Sequence, residues 1–141
     1  MFLSSVAQFQ TARVSFTHFT TLVEATWTSA ETLQRLYMRA AALVLNPGAE
    51  GSDLVIPVRF PPSGAKRRGP ATYGAILIQV KNYDATTSMP RLEELATRTL
   101  APVIGSTLPV GRVASVVYVL GSKPFKSREG AHHDFFVLKY V

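Results

Sequence analysis

The sequence AILIQVK at residues 75–81 is the clearest indication of the fold of this chain, and it changes from apolar to polar residues near its end. A continuous apolar run of this length is typical of a central β-strand that is covered on both faces. Gln79 and Lys81 are two residues apart, so their side chains share one face of the strand. Polar groups beside such a run are costly unless they are hydrated or used. The stretch therefore predicts a central strand whose last residues, including Gln79 and Lys81, belong to a functional site.

A second stretch, GSDLVIPV at residues 51–58, predicts the neighbouring strand over residues 53–60. Its β-branched residues favour a strand, and Pro57 suggests an edge position or a bulge. A loop rich in Pro, Gly and basic residues follows over residues 61–70. If the two strands form a hairpin, Asp53 lies beside Gln79 and Lys81 at one end of the sheet.

The remaining elements follow from periodicity and from turn residues. Thr28 or Ser29 is a suitable N-cap for a helix over about residues 29–41, and Glu31 in its first turn suits the helix dipole. A second helix is predicted with Pro90 in its first turn. The full set of further predictions is a short strand at 14–16, a helical turn within 19–25, strands at 41–45, 113–120 and 134–141, and a helix at 91–100. This order indicates an α/β fold with a mixed central sheet flanked by helices.

The composition indicates one folded domain over residues 1–141 with an anionic partner. The chain is 47% hydrophobic, has a net charge of +6 and contains no cysteine, which excludes disulfides and thiolate chemistry. Basic balance of this size favours nucleic acid, an acidic protein or a membrane surface. Because no apolar run approaches 18 residues and residues 1–5 lack a secretory pattern, we expect an intracellular protein without a membrane span, in the nucleus or the cytoplasm.

Asp53, Gln79 and Lys81 together suit phosphodiester hydrolysis. A carboxylate from Asp53, the amide oxygen of Gln79 and the backbone carbonyl of Val80 are the oxygen ligands that Mg²⁺ or Mn²⁺ takes. Lys81 would orient the attacking water or stabilise charge on the phosphate. The alternative for Asp53 is a structural role as a turn cap, and for Lys81 a solvated strand end.

These residues, with the predicted element order, resemble the PD-(D/E)XK nuclease superfamily, and the Gln-x-Lys form resembles its Mrr-like branch. The motifs at residues 40–42, 51–58 and 75–82 also look like uncharacterised domains of basidiomycete fungi. The resemblance implies a restriction-endonuclease-like αβββαβ core, a Mg²⁺-dependent endonuclease activity on DNA and a homodimer. It also implies an acid from the first helix, for which Glu31 and Glu24 are candidates. Gln79 stands where the superfamily usually has a second carboxylate.

Basic residues outside this group are candidates for contacts with nucleic acid. Phosphate contacts come mainly from Lys and Arg, and Lys66, Arg67 and Arg68 form one run, while Asn82 follows the Gln-x-Lys triplet. The run is equally compatible with a solvated loop tip. Two further functions therefore stay open: a catalytically inactive module of the same fold that binds nucleic acid or protein, and a purely structural domain.

Overall fold

A mixed α/β fold is formed by the seven strands and two helices that the structure describes. The structure is a computed structural model that describes residues 9–21, 27–46, 51–62, 69–83, 89–108, 111–121 and 136–140. In chain order the elements are β1 (Arg13–Val14), β2 (His18–Thr20), α1 (Ala30–Met38), β3 (Ala41–Val44), β4 (Leu54–Phe60), β5 (Thr72–Tyr83), α2 (Met89–Leu100), a 3₁₀ turn (Ala101–Val103), β6 (Val113–Gly121) and β7 (Phe136–Tyr140).

The sheet is mixed, as the sequence predicts, and its order is β2-β3-β4-β5-β6-β7, with β1 pairing with β4 outside this path. β3, β4 and β5 are antiparallel neighbours, and β5 and β6 run parallel. Parallel neighbours need a crossover connection, and α2 supplies it between β5 and β6. The hairpin of β4 and β5 pairs Leu54 with Ile78 at one end and Phe60 with Thr72 at the other.

Helix α1 begins as predicted and ends earlier. Ser29 is its N-cap, with the Ser29 hydroxyl accepting from the Thr32 amide at 3.1 Å. The helix buries Leu33 and Leu36 against the sheet. The predicted end at residue 41 is wrong, because Ala40 adopts a left-handed φ of 51° and Ala41 already begins β3. Neither of the described helices is long and apolar enough to cross a membrane.

The two ends of the chain differ in part from the sequence predictions. Near the N-terminus, the helical turn predicted within residues 19–25 is wrong at its start, because Phe19 and Thr20 pair in parallel with β3. The neighbouring residues 22–26 lie outside the described residues. The predicted last strand is present as Phe136–Tyr140, and residues 134, 135 and 141 of that prediction also lie outside the described part.

Pro57 lies in an interior strand rather than at an edge of the sheet. It pairs with Ala75 of β5 and is buried. On the other side of β4, β3 pairs only with Leu54 and Val55, and β1 pairs only with Val58 and Arg59. Pro57 therefore occupies a gap between two short partners, where the missing backbone N–H breaks no ladder.

Strand β5 carries the core of the molecule on the face that the helices cover. Tyr73, Ala75 and Leu77 are buried together with residues of both helices. The opposite face is only half covered, with Ile76 and Ile78 partly buried and Val80 exposed. Burial on both faces, expected from the apolar run, is thus complete on one face only.

A glycine in β5 allows the start of β6 to approach closely. A Cβ atom at Gly74 would lie 1.8 Å from the carbonyl oxygen of Arg112. That same oxygen accepts a hydrogen bond from the Ala75 amide at 3.0 Å. Because the contact involves backbone atoms, no side-chain movement can relieve it, and the parallel pairing of β5 with β6 requires glycine at this position.

Ser115 is a buried polar residue in β6, and it shows what an unsatisfied hydroxyl costs in this core. Its side chain is 0% exposed, and its hydroxyl has no hydrogen-bond partner among the residues that the structure describes. An unsatisfied buried hydroxyl costs about 1–3 kcal/mol. We expect Ser115→Ala to raise the free energy of unfolding by about 1 kcal/mol, measured by urea denaturation.

Thr99→Val is the matched control, because the Thr99 hydroxyl is equally buried but is hydrogen-bonded. Removing it is expected to lower the free energy of unfolding by about 1 kcal/mol. Destabilisation by both substitutions would show that the Ser115 hydroxyl is satisfied in solution.

Candidate functional site

Asp53 directly precedes β4, at the end of the hydrogen-bonded ladder between β4 and β5. The last pair of that ladder is Leu54 with Ile78, and the Asp53 amide donates to the Ile78 carbonyl at 2.9 Å. One step further, the Val80 amide donates to Asp53 Oδ2 at 2.6 Å. The carboxylate therefore supplies the acceptor that the backbone of β4 no longer provides. A charged acceptor at this distance makes a strong hydrogen bond.

The same edge of β5 also presents the Val80 carbonyl. In a strand, the N–H and C=O of one residue point to the same side. Because the Val80 amide is directed at Asp53, its carbonyl is directed to the side from which β4 has departed. The backbone oxygen of Val80 and the Asp53 carboxylate thus lie on one edge of the strand. These are two of the three metal ligands that the sequence predicted.

The residues before Asp53 are fixed against the C-terminal end of α2. Gly51 has a φ of 95°, and a Cβ atom there would lie 2.8 Å from the Arg98 carbonyl oxygen. The buried Ser52 hydroxyl donates to the Thr99 carbonyl at 3.4 Å. Glycine is therefore required both by the backbone conformation and by the close approach of the helix. These contacts determine where β4 begins and so where the Asp53 carboxylate lies.

Gln79 is 8% exposed and faces α2. Thr99 Oγ1 lies 3.2 Å from Gln79 Oε1 and 2.8 Å from the Leu95 carbonyl oxygen, and it donates to both acceptors. A hydroxyl has only one hydrogen, so the two acceptors share it, and the shorter bond to the Leu95 carbonyl is the stronger of the two. An amide oxygen has two acceptor positions. Gln79 is thus held in place by Thr99 and keeps acceptor capacity for another ligand.

Lys81 follows on the same face of β5 as Gln79. Its side chain is partly buried, and it forms no ion pair with any residue that the structure describes. An ammonium group without a carboxylate partner is suited to attract an anion to this end of the strand. Asp53, Gln79, Val80 and Lys81 are therefore all located at one end of the β4–β5 hairpin, as the sequence predicted.

Glu31 is not brought to this group. It lies on the exposed side of α1, where its carboxylate pairs with Arg35 at 2.6 Å, and its side chain is 73% exposed. Among the residues that the structure describes, no three His, Asp or Glu side chains are close enough to share a metal ion. Glu24, the other candidate helix acid, lies outside the described residues. A second carboxylate for the site is not identified within the described ranges.

The predicted basic run is connected to the far end of the hairpin. Lys66, Arg67 and Arg68 lie outside the described residues, but the strand ends that flank their loop, Phe60 and Thr72, pair with each other. Those ends are about seven residues, or about 23 Å, from Asp53 along β4. Asn82 continues β5 next to Lys81, and its side chain lies outside the described part.

Thr99 and Ser52 are the site residues that the sequence reasoning missed. Thr99 interrupts the apolar stripe of α2 one position before the buried Leu100. A polar residue inside a helix stripe that faces the sheet is the pattern that would have identified it. Ser52 carries no comparable signal, because a serine after a glycine is ordinary in a turn.

Comparison with known proteins gives one family and no function. A family model described as Domain of unknown function (DUF8736) matches residues 3–97, which are 95 of the 141 residues. Neither a curated protein nor a solved structure matches the chain. The match covers the hairpin, both strand-end motifs and most of α2, and it ends before β6. None of these comparisons links the chain to the nuclease superfamily that its motifs resemble.

The bond between Asp53 and Val80 makes a prediction about stability that is separate from activity. Asp53→Ala leaves the Val80 amide without its acceptor, and we expect the free energy of unfolding to fall by about 1.5–3 kcal/mol. Asp53→Asn keeps an acceptor oxygen without the charge, so the loss should be about half as large. Both values are measurable by urea denaturation.

Glu94→Ala is a suitable control, because Glu94 is an exposed acid on α2 that pairs with Arg98. Exposed pairs of this kind contribute little, and we expect a change below about 0.5 kcal/mol. Equal stability of Asp53→Ala and the wild type would mean that the carboxylate does not hold the end of β5.

Proposed function

We propose that this chain, which belongs to the family described as Domain of unknown function (DUF8736), is a metal-dependent nuclease-like domain that hydrolyses DNA phosphodiester bonds. One observation carries the proposal: Asp53 Oδ2 accepts from the Val80 amide at 2.6 Å. That contact joins the acid to the backbone between Gln79 and Lys81. Three chemically matched groups thereby share one end of a sheet, although they come from two separate parts of the sequence.

The order of the elements supports the same proposal. From α1 to β6 the chain runs helix, three antiparallel strands, crossover helix and a strand parallel to the third. This is the order that the resemblance to restriction-endonuclease-like cores implies. The acid begins the second of those three strands and the Gln-x-Lys triplet ends the third. We therefore assign the αβββαβ core to residues 30–121 as part of the proposal.

The residues present fit a hard divalent cation by donor type. Asp53 Oδ1 has no hydrogen-bond partner among the described residues, the Val80 carbonyl is directed to the same edge, and Gln79 retains acceptor capacity. Carboxylate, carbonyl and amide oxygens are the ligands that Mg²⁺ and Mn²⁺ accept. Asp53, Gln79 and Val80 would hold the ion, which would lower the pKa of a bound water and offset charge on the phosphate.

Lys81 would act on the substrate side of this group. Its ammonium shares a face with Gln79 and has no described carboxylate partner, so it can attract a phosphate oxygen or orient the attacking water. Thr99 holds Gln79, and Gly51 and Ser52 hold the start of β4 against α2. A pre-organised arrangement of this kind needs little rearrangement when charge develops on the phosphate.

The second candidate function is binding of nucleic acid without hydrolysis. A single carboxylate among the site residues favours it, because each neutral ligand that replaces a charged one weakens the hold on a divalent cation. Gln79 replaces a charge in this way, and Glu31 is engaged elsewhere by Arg35. In this case Lys81 and the basic run at residues 66–68 contact phosphate groups. Asp53 then serves only as the hydrogen-bond acceptor for the Val80 amide.

Cleavage of DNA distinguishes the two functions. We expect supercoiled plasmid to be nicked in the presence of Mg²⁺ or Mn²⁺, and the rate to fall by about 100-fold or more in Lys81→Ala and in Asp53→Asn. Arg35→Ala, on the exposed side of α1, is the matched control for loss of a positive charge and should retain wild-type cleavage.

Cleavage that survives both substitutions would assign the activity to other residues or to a contaminant. Salt-dependent binding of DNA by the wild type without any cleavage would instead favour the binding-only module.

Gln79→Glu tests the metal site without relying on turnover. The substitution adds a charged oxygen ligand in the same position, and Thr99 can still donate to it. We expect the affinity for Mn²⁺ to rise by about tenfold, measured by isothermal titration calorimetry. Gln34→Glu, on the exposed side of α1, adds the same charge elsewhere and should leave the affinity unchanged. Equal effects of the two substitutions would exclude Gln79 as a ligand.

A further inference from the structure

A group of arginines lies at the end of the sheet opposite Asp53. Arg13 of β1 and Arg59 of β4 are direct partners in an antiparallel pairing. Side chains at directly opposed positions project from the same face of the sheet, with Cβ atoms about 5 Å apart. Two side chains of like charge therefore start from neighbouring positions on one face of the sheet.

Neither arginine of this pair is compensated by an acid that the structure describes. Arg13 is exposed and Arg59 partly buried, and neither forms an ion pair with a residue of the described ranges. On its other side, Arg59 is paired with Tyr73. All nine acidic residues of the sequence lie outside residues 1–23 and 54–83, so β1, β4 and β5 contain none. Like charges in this arrangement destabilise a sheet.

A third cation, Arg112, lies at the same end of the sheet but on the opposite face, because it stacks on Phe60 and consecutive side chains of β4 alternate between the two faces. Its guanidinium carbon lies 4.3 Å from the centroid of the Phe60 ring, next in sequence to Arg59. Stacking on an aromatic ring uses the face of a guanidinium and leaves its N–H edge available for hydrogen bonds. The stack therefore fixes Arg112 in position without neutralising its charge.

We infer that Arg13 and Arg59 form a binding surface for the phosphate backbone of nucleic acid, about 20 Å along β4 from Asp53. Arginine binds phosphate oxygens through two parallel N–H groups, and neighbouring arginines can contact successive phosphates. A bound phosphate would also remove the repulsion between Arg13 and Arg59. This surface is separate from the site at Asp53 and does not depend on hydrolysis.

The inference predicts opposite effects on binding and on stability. For the double variant Arg13→Gln/Arg59→Gln, we expect affinity for a 20-base-pair DNA duplex to fall by about tenfold or more at low salt. The slope of log affinity against log salt should fall by about 2, one for each lost phosphate contact. The midpoint of thermal unfolding without DNA should rise by about 2 °C, because the repulsion is removed.

The control is Arg35→Gln/Arg98→Gln, which removes the same two charges. Both of these arginines are exposed and each is paired with a glutamate on its own helix. We expect the control to change affinity by less than about twofold and not to raise the unfolding midpoint. Binding is measured with EDTA present, so that failure of the proposed metal site does not affect the result.

Three results would overturn the inference. Equal loss of affinity in the two double variants would mean that only net charge matters. Absence of salt-dependent duplex binding by the wild type would remove the surface altogether. Binding to vesicles containing phosphatidylserine, with no binding to the duplex, would assign the arginines to a membrane surface instead.

Discussion

The hydrogen bond from the Val80 amide to the Asp53 carboxylate is the contact on which the arrangement of the site depends. It forms just beyond the last pair of the β4–β5 ladder, where the backbone of β4 no longer offers an acceptor to the Val80 amide. The same bond aligns the acid with Gln79 and Lys81. The Asp53 side chain therefore has a structural role, as the acceptor for Val80, and a proposed chemical role as a metal ligand. This explains why an acid is needed here even in a domain without catalysis.

Helix α2 supports this bond from outside the sheet. Thr99 contacts Gln79 through its hydroxyl and Ser52 through its carbonyl, so one residue holds both strands that form the site. Gly51 allows the approach, since a Cβ atom there would collide with the Arg98 carbonyl. The crossover that makes β5 and β6 parallel thus also determines the geometry at the end of β5. The fold and the site are fixed by the same contacts.

The sequence predicted the mixed sheet, the hairpin and the grouping of Asp53 with Gln79 and Lys81. These follow from the order of the elements, from the apolar run of β5 and from the two-residue spacing of Gln79 and Lys81. It did not predict the end of α1, where Ala40 takes a left-handed conformation that a run of three alanines does not indicate. The role of Thr99 depends on which face α2 presents to β5, which is a tertiary property. The pairing of Arg13 with Arg59 joins residues far apart in sequence, and only the register of β1 reveals it.

In the proposed site, Asp53, Gln79 and Val80 provide oxygen ligands for one divalent cation at the end of the hairpin. The most direct test is a crystal structure of the protein with Mn²⁺, with the ion located by its anomalous scattering. We expect one peak about 2.1 Å from Asp53 Oδ1, with the Val80 carbonyl or Gln79 Oε1 as a second ligand. A well-ordered Asp53 that still accepts from Val80, with no peak beside it at millimolar Mn²⁺, would exclude a metal site at this position.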